Sequence, residues 1–212
     1  MDLAKLRREY TKTKLSKKSV NQDPIEQFNL WLKEALQANC MEPTAMTIST
    51  VSEENTPSSR IVLLKGVENS QFVFYTNYNS RKGNQLEKNS GISALFFWPE
   101  LERQVNIEGT IQKTSTEQSD SYFKSRPWKS RIGAIISPQS QPIESRNIIK
   151  QAFVLEAAKH IGNTIPRPDH WGGIMINPNR IEFWQGRPNR LHDRVLFTKA
   201  NDSTWDISRL AP

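Results

Sequence analysis

From Ala45 onward, the sequence is divided into short strand-like runs separated by clusters of turn residues, and this pattern constrains the fold most strongly. The first runs are Ala45–Val51, Ser59–Lys65, Phe72–Thr76, Ile92–Trp98 and Gln104–Ile111. Further runs near the end of the chain are Gly173–Ile176, Arg180–Trp184, Leu191–Phe197 and Ser203–Ile207. Runs of this length and spacing are typical of consecutive antiparallel strands. Eight or nine strands with few helices predict a mainly β fold, an antiparallel β-barrel with helices packed outside.

Helical patterns interrupt the strands at a few places. Asp23 is a predicted N-cap before Pro24, Ser80 is a second, and Pro127 ends a third helical run. No run approaches the roughly 18 apolar residues that span a bilayer, and the chain start lacks an apolar signal-peptide core. We therefore expect a cytoplasmic protein with no membrane partner. The predicted helices span about 24–39, 81–89, 116–125 and Ile143–His160.

The positive charge of the chain is concentrated at its start. Of the net charge of +7, residues 1–18 carry +5, from seven basic and two acidic residues, which leaves +2 for the rest. A nearly neutral body argues against nucleic acid as a partner. We predict a flexible basic arm over residues 1–20 and a single domain over residues 21–212. The arm is either a solubilising tail or a mobile cover for an anionic ligand.

Several common types of site are missing from the sequence. Cys40 is the single cysteine, and the three histidines are widely spaced, so neither a disulfide nor a metal site is expected. The chain also lacks a Gly-rich phosphate loop, a dinucleotide fingerprint and a nucleophile elbow. Any phosphate must therefore be bound by side chains and helix termini.

Two segments suit an anion at a helix end. Arg81 and Lys82 fall in the first turn of a predicted helix, where cations oppose the helix dipole unless an anion is bound. Tyr122 and Arg126 share one helix face and could converge on a phosphate, with Ser130 as a further donor. The alternatives are a solvated basic turn and a frayed helix end with a surface arginine.

Two further cationic segments lie on predicted strands. Alternation along a strand would place Arg190, His192 and Arg194 on one face, where they repel one another unless they share an anionic or electron-rich ligand. Arg60 and Lys65 bracket an apolar strand, but their opposite parity places them on opposite faces of an ideal strand. They can serve one site only if the strand bends or two ligands lie along it.

Taken in order, these segments resemble one family, the pyridoxine/pyridoxamine 5′-phosphate oxidases. The resemblance covers almost the whole chain. Departures from the family's pattern occur at Arg131, Ile135 and Arg187-Pro188, and none falls on a functional position. The matching blocks are Leu6–Tyr10, Arg60–Lys65, Phe74–Asn77 with Ser80–Lys82, Gln104-Val105, Tyr122–Pro127, Ile132–Ala134 with Ser137–Ser140, Ile181–Gly186, Asn189–Arg194 and Arg209–Pro212.

The resemblance implies an FMN-binding split β-barrel and a homodimer with FMN at the subunit interface. The implied FMN contacts are Arg60, Ile61, Val62, Leu63, Leu64, Lys65, Tyr75, Thr76, Arg81, Lys82, Gln104, Gln139, Ser140, Trp184 and Arg194. The implied contacts to the substrate's phosphate are Lys65, Tyr122, Arg126 and Ser130. Arg190, Leu191 and His192 would contact the rest of the substrate, with Arg190 and His192 over its pyridine ring as catalytic candidates. Arg7, Arg8, Glu9 and Tyr10 would form a closing arm.

The implied reaction belongs to vitamin B6 salvage. Pyridoxine or pyridoxamine 5′-phosphate would be oxidised to pyridoxal 5′-phosphate, with O2 as acceptor, hydrogen peroxide as product and ammonia released from the amine. The alternatives are another split-barrel flavin oxidoreductase with a different substrate and a non-catalytic carrier of pyridoxal phosphate. The presence of Tyr122, Arg126, Ser130, Arg190 and His192 together favours the oxidase.

Overall fold

The computed structural model describes residues 9–201 and 204–212, so Arg7 and Arg8 of the predicted arm lie outside the described residues. Nine strands form one sheet in this part of the chain: β1 Ala45–Val51, β2 Pro57–Leu63, β3 Gly66–Glu68, β4 Gln71–Asn77, β5 Gly91–Trp98, β6 Arg103–Lys113, β7 Trp171–Gln185, β8 Asp193–Lys199 and β9 Trp205–Leu210. The helices are α1 Pro24–Gln37, α2 Arg81–Lys88, α3 Thr116–Ser125, α4 Trp128–Ile136 and α5 Arg146–Lys159, and a 3-10 turn covers Pro188–Arg190.

All strand pairs are antiparallel, and the long strand β7 organises the sheet. The strand order is β2-β1-β5-β6-β7-β4-β3, and β8 also pairs with β7 and carries β9. Because three strands pair with β7 along its length, the sheet curls into a half-barrel with helices outside. The predicted mainly β, antiparallel fold is confirmed.

Helix α1 packs its apolar face on the curled sheet. Asp23 caps it by accepting a hydrogen bond from the Ile25 N–H, as its sequence predicts. Phe28 is fully buried, and its ring meets the edges of Phe72 and Phe96 at centroid distances of 4.9 and 5.0 Å. These aromatic contacts place the main core between α1 and the concave face of the sheet.

Some predicted boundaries are wrong because they depend on contacts between distant residues. The two runs Gly173–Ile176 and Arg180–Trp184 are one continuous strand, since a register shift at Glu108/Gly109 on β6 accommodates the polar residues between them. A Cβ on Gly109 would overlap the Asn177 carbonyl group, so this close approach requires glycine. Strands β2 and β9 are also displaced from their predicted positions, and β3 and α4 were not predicted.

The segment that follows Tyr10 is bound to the barrel. One carboxylate oxygen of Glu102 accepts hydrogen bonds from the Thr11 and Lys12 N–H groups, at 2.9 and 3.1 Å. Leu15 and Val20 are buried in the main core. The division into a flexible arm over residues 1–20 and a domain over residues 21–212 stays a prediction. No helix in the described ranges is long and apolar enough to cross a membrane.

Candidate active site

Most of the predicted ligand-binding residues line one cavity of about 830 Å³, a size typical of small-molecule sites. Among the predicted contacts from Arg60 to Lys65, the exception is Leu64, whose side chain is buried in the main core. Strand β2 ends at Leu63, so Lys65 lies beyond it. Arg60 and Lys65 can therefore line the same cavity, because they do not lie on a single regular strand that would place them on opposite faces. The predicted residues that line this cavity are Arg60, Ile61, Val62, Leu63, Lys65, Tyr75, Thr76, Arg81, Lys82, Tyr122, Arg126, Ser130, Gln139 and Ser140.

One end of the cavity is the N-terminus of α2. Ser80 caps the helix by accepting a hydrogen bond from the Gly83 N–H. A Cβ on Gly83 would overlap the Tyr78 carbonyl oxygen, so glycine lets the first turn of the helix pack closely against the end of β4. This packing holds Arg81 and Lys82 at the cavity wall.

Three cations meet at this end: Arg60, Arg81 and Lys82. The Lys82 ammonium donates to Gln139 Oε1 at 2.8 Å and to Ser80 Oγ at 3.2 Å. Burial, with a smaller contribution from Arg60, lowers the pKa of Lys82 to about 8, and burial together with Arg81 lowers the pKa of Arg60. Within the described part of the chain, none of the three forms an ion pair with a carboxylate. A bound anion would supply the missing negative charge.

The other end of the cavity is aromatic and contains another cation, Arg126, apart from the three at the α2 end. Tyr75 and Tyr122 stack with ring centroids 3.8 Å apart, and the Arg126 guanidinium lies 4.5 Å from the centre of the Trp171 ring. Arg126 Nη1 is buried and has no hydrogen-bond partner among residues 9–201 and 204–212, and burial lowers the pKa of this guanidinium. Burial also raises the pKa of Tyr75 to about 12 and that of Tyr122, so both phenols stay protonated. The arrangement suits a second anionic group next to an aromatic ring.

The remaining predicted cofactor residues line a different cavity, of about 450 Å³. They are Gln104, Trp184 and Arg194, together with Glu182 and residues of β1 and β5. Arg194 forms a bidentate ion pair with Glu182, with N–O distances of 2.7 and 3.0 Å. In the single chain, the predicted cofactor contacts are therefore divided between two sites.

The predicted shared face of Arg190, His192 and Arg194 is wrong. Strand β8 begins only at Asp193, and Arg190 lies in the preceding 3-10 turn with a φ of 60°. The Glu182 carboxylate offsets the charge of Arg194. Arg194 therefore does not add to the repulsion that suggested a shared ligand, which is left between Arg190 and His192 alone.

Tyr10 and His192 pack on Trp184 beside this second cavity. Tyr10 lies 5.7 Å from both Trp184 and His192, and the Trp184 and His192 rings are 4.6 Å apart, all between ring centroids. His192 Nδ1 accepts a hydrogen bond from the Arg187 N–H at 3.1 Å. Burial and the charge of Arg190 lower the pKa of His192, which favours the neutral imidazole. Glu9, Arg190 and Leu191 are exposed near these rings.

Several lining residues of these sites were not predicted, and two of them shape the sites. Trp171 completes the aromatic stack of the first cavity, and Glu182 holds Arg194 in the second. Trp171 lies between a segment rich in proline and glycine and the predicted strand Gly173–Ile176, so no predicted helix or strand included it. Glu182 lay within a matching block, but only the strand pairing shows which cation it meets.

Solved structures with the same architecture define the class as split-barrel proteins, which confirms the predicted fold. PhzG from Burkholderia lata, solved in complex with tetrahydrophenazine-1-carboxylic acid, matches with a TM-score of 0.89 and 25% identity, over 95% of this chain and 99% of that chain. An FMN-binding protein from Nostoc punctiforme, related to pyridoxamine 5′-phosphate oxidase, matches with a TM-score of 0.72 and 14% identity, over 87% and 97% of the two chains.

Sequence comparisons identify the family. Residues 32–158 match the family model of pyridoxamine 5′-phosphate oxidase, and residues 171–212 match that of the C-terminal dimerisation region of pyridoxine 5′-phosphate oxidase. A pyridoxine/pyridoxamine 5′-phosphate oxidase from Bacteroides thetaiotaomicron is 57% identical over 100% of this chain and 99% of its own length. One from Gloeothece citriformis is 50% identical over 99% and 98%. The chain belongs to the pyridoxamine 5′-phosphate oxidase family, as its sequence predicts.

Proposed function

We propose that this protein oxidises pyridoxine 5′-phosphate or pyridoxamine 5′-phosphate to pyridoxal 5′-phosphate, with FMN as cofactor and O2 as electron acceptor. The observation that carries this proposal is the two-ended cavity. It has one cationic end at Arg60, Arg81 and Lys82, and a separate cation, Arg126, at its aromatic end. A cofactor and a substrate that each carry one phosphate match these two ends. The full-length similarity to the named oxidases supports the same conclusion.

The residues of the α2 end fit the phosphate of FMN. The helix N-terminus and three cations that form no ion pair with a described carboxylate provide a positive site, and Gln139 and Ser140 add polar groups to its lining. The residues from Arg60 to Leu63, with Tyr75 and Thr76, would contact the rest of the cofactor. Flavin binding thus agrees with the chemistry of the donors that line the cavity.

The aromatic end fits the substrate. The unpartnered Arg126 Nη1, with Tyr122, Ser130 and Lys65 on the same cavity wall, would bind the substrate's phosphate. These contacts bind and align the substrate, and alignment of reacting groups lowers the barrier to reaction. The neutral phenol of Tyr122 can donate a hydrogen bond to the phosphate without repelling it.

The divided set of cofactor residues supports a homodimer with FMN at the interface. Gln104, Trp184 and Arg194 line a cavity of their own in the single chain, and Arg190 and His192 lie beside it. A second copy could present this cavity to the first cavity of its partner. Trp184 and Arg194 lie within residues 171–212, which match the dimerisation region of the family.

The chemistry divides between cofactor and protein. FMN, held by the residues of the α2 end and of β2, would supply the two-electron redox chemistry that links oxidation at the 4′ carbon of the substrate to reduction of O2 to hydrogen peroxide. The alcohol gives the aldehyde directly, whereas the amine gives an imine that water hydrolyses with release of ammonia. Arg190 would position the substrate's ring, and His192 would hydrogen-bond to it. Tyr10 would cover the ring from the N-terminal segment.

The visible spectrum and oxygen uptake of the purified protein test the proposal. A protein that gains a flavin spectrum with FMN and consumes O2 on addition of pyridoxamine 5′-phosphate supports it. A protein that cannot be reconstituted with FMN, or that holds FMN but consumes no O2 with either B6 phosphate, refutes it. Tetrahydrophenazine-1-carboxylic acid, found in the PhzG structure, should be tested in parallel as the rival substrate.

A further inference from the structure

The turn between β7 and β8 is built around Arg187, whose backbone and side chain both bind neighbouring residues. Its backbone N–H donates to His192 Nδ1 at 3.1 Å. Its guanidinium lies 3.4 Å from Asp193 Oδ2, measured from Nε, and donates through Nη1 to the Thr13 carbonyl oxygen at 3.3 Å. One side chain thus joins the turn to the N-terminal segment.

Asp193 makes the same connection from the other side. Its carboxylate is largely buried and accepts hydrogen bonds from the Leu15 N–H at 3.1 Å and from Arg209 Nη2 at 2.6 Å. Arg187 and Asp193 therefore contact each other, and each also binds the backbone of the segment from Thr13 to Leu15. A buried carboxylate with charged partners resists displacement because its release would leave an unpaired charge.

These contacts fix the position of Tyr10, which precedes the anchored segment. Its ring lies against Trp184 and His192. Gly186 provides the space, because a Cβ there would lie 2.7 Å from Tyr10 Cγ. The position of the Tyr10 ring thus depends on both the segment and the turn.

The same contacts fix the turn that carries Arg190 and His192. Asn189 and Arg190 have φ values of 55° and 60°, a left-handed conformation that arginine rarely adopts and that surrounding contacts must maintain. Because Nδ1 of His192 accepts a hydrogen bond, a neutral imidazole carries its proton on Nε2. The turn therefore presents His192 as a hydrogen-bond donor through Nε2.

We propose that Arg187 and Asp193 form a positioning latch, which ties the segment carrying Tyr10 to the turn carrying Arg190 and His192 and holds His192 in its Nε2-protonated form. The proposal rests on the proposed function, which assigns Tyr10, Arg190 and His192 to the substrate. Arg187 and Asp193 act through these residues and are not themselves catalytic.

Kinetics of the FMN-loaded protein test the latch. We expect Arg187→Gln and Asp193→Asn each to lower kcat/KM for pyridoxamine 5′-phosphate about 10- to 100-fold, the scale of a misplaced site, with the flavin spectrum unchanged. The double variant should be no slower than the slower single variant, because the two residues act as a unit. Glu156→Gln, which breaks an ion pair with Lys159 on α5, is the control and should retain normal kinetics.

Two measurements that do not need turnover separate the latch from a general loss of stability. Nitrogen-15 NMR should show the His192 ring protonated at Nε2 in the unaltered protein and a mixture of the two neutral forms in both latch variants. Limited trypsin digestion at Lys12 and Lys14 should be faster in the variants, because the anchored segment is released. Glu102→Gln should also speed this cleavage while leaving the His192 signal unchanged. The Glu102 carboxylate binds the backbone of the segment, whereas its contact with Gly186 is made by its backbone carbonyl, which the substitution keeps.

Normal kinetics in both FMN-loaded single variants would overturn the proposal, as would additive losses in the double variant or an unchanged His192 signal. If Asp193→Asn fails to fold, Arg187→Gln decides the outcome alone, because Asp193 keeps Arg209 as a partner. A protein with the expected His192 signal and protected segment but no oxidase activity would refute the proposed function and leave the latch geometry intact.

Discussion

Replacement of Lys82 by methionine should stabilise the FMN-free protein and weaken its binding of FMN. The pKa of Lys82 falls from an ordinary value of 10.5 to about 8, which corresponds to a cost of about 3 kcal/mol for holding the charged ammonium in its buried position beside Arg60, at about 1.4 kcal/mol per tenfold change in proton affinity. Methionine removes that cost but also removes the hydrogen bonds to Gln139 and Ser80, at about 1 kcal/mol each. We expect a net gain of about 1 kcal/mol in the free energy of unfolding at pH 7.

The pH dependence gives the sharper form of this prediction. Because the folded-state pKa is lowered, the cost is fully present below pH 8 and disappears as the pH rises from about 8 to 10.5. The unfolded state binds the additional proton in that window, so the unaltered protein becomes more stable relative to Lys82→Met. Over the same window, the unaltered protein should bind FMN less tightly, since a neutral amine attracts phosphate poorly.

Urea unfolding of the FMN-free protein at pH 7 and pH 10, with FMN titration by flavin fluorescence, measures both effects. FMN affinity should fall about 10- to 100-fold in Lys82→Met, the value of one charge-assisted hydrogen bond of about 1.5–3 kcal/mol. Lys88→Met, on the exposed last turn of the same helix, should change neither quantity appreciably. A Lys82→Met protein that is less stable at pH 7 and binds FMN normally would refute the assignment of Lys82 to the phosphate.

Three further changes test other parts of the site. Arg190→Ala should lower turnover by at least about 100-fold in oxygen-uptake assays with FMN still bound, and near-normal turnover would remove Arg190 from the mechanism. Arg126→Gln should raise KM for pyridoxamine 5′-phosphate about 10- to 100-fold with little change in the flavin spectrum, because it removes the cation at the aromatic end. Gly83→Ala should lower the melting temperature and FMN retention because its Cβ overlaps the Tyr78 carbonyl oxygen, whereas Gly133→Ala, with no atom within 4 Å of its Cβ, should not lower the melting temperature.

Features that depend on neighbouring residues were predicted well from the sequence. The caps at Asp23 and Ser80 and the bounds of α3 follow from local hydrogen bonding and from proline. Features that depend on pairing between distant strands were not predicted. The continuity of β7 depends on the bulge opposite it at Gly109, and the start of β8 depends on the turn that contains Pro188 and precedes it. Periodicity within one run cannot reveal either contact.

The cationic residues show why the candidate site could be only partly predicted. In sequence, both Arg126 and Arg194 are candidate ligands for an anion. In the structure, Arg194 is neutralised by Glu182 from the adjacent strand, whereas Arg126 is buried with a donor that has no partner. Burial lowers the pKa of Arg126, while the Glu182 carboxylate raises that of Arg194.

Strand pairing decides which cations meet a carboxylate, and a chain read residue by residue does not show that pairing. The small net charge of the chain after residue 18 therefore does not show where anion-binding sites lie. What marks the large cavity as an anion site is that no carboxylate of the described ranges lines it, and that Arg60, Arg81, Lys82 and Arg126 form no ion pair within those ranges. A ligand with two separated negative groups, or two ligands with one each, is the simplest complement to that distribution.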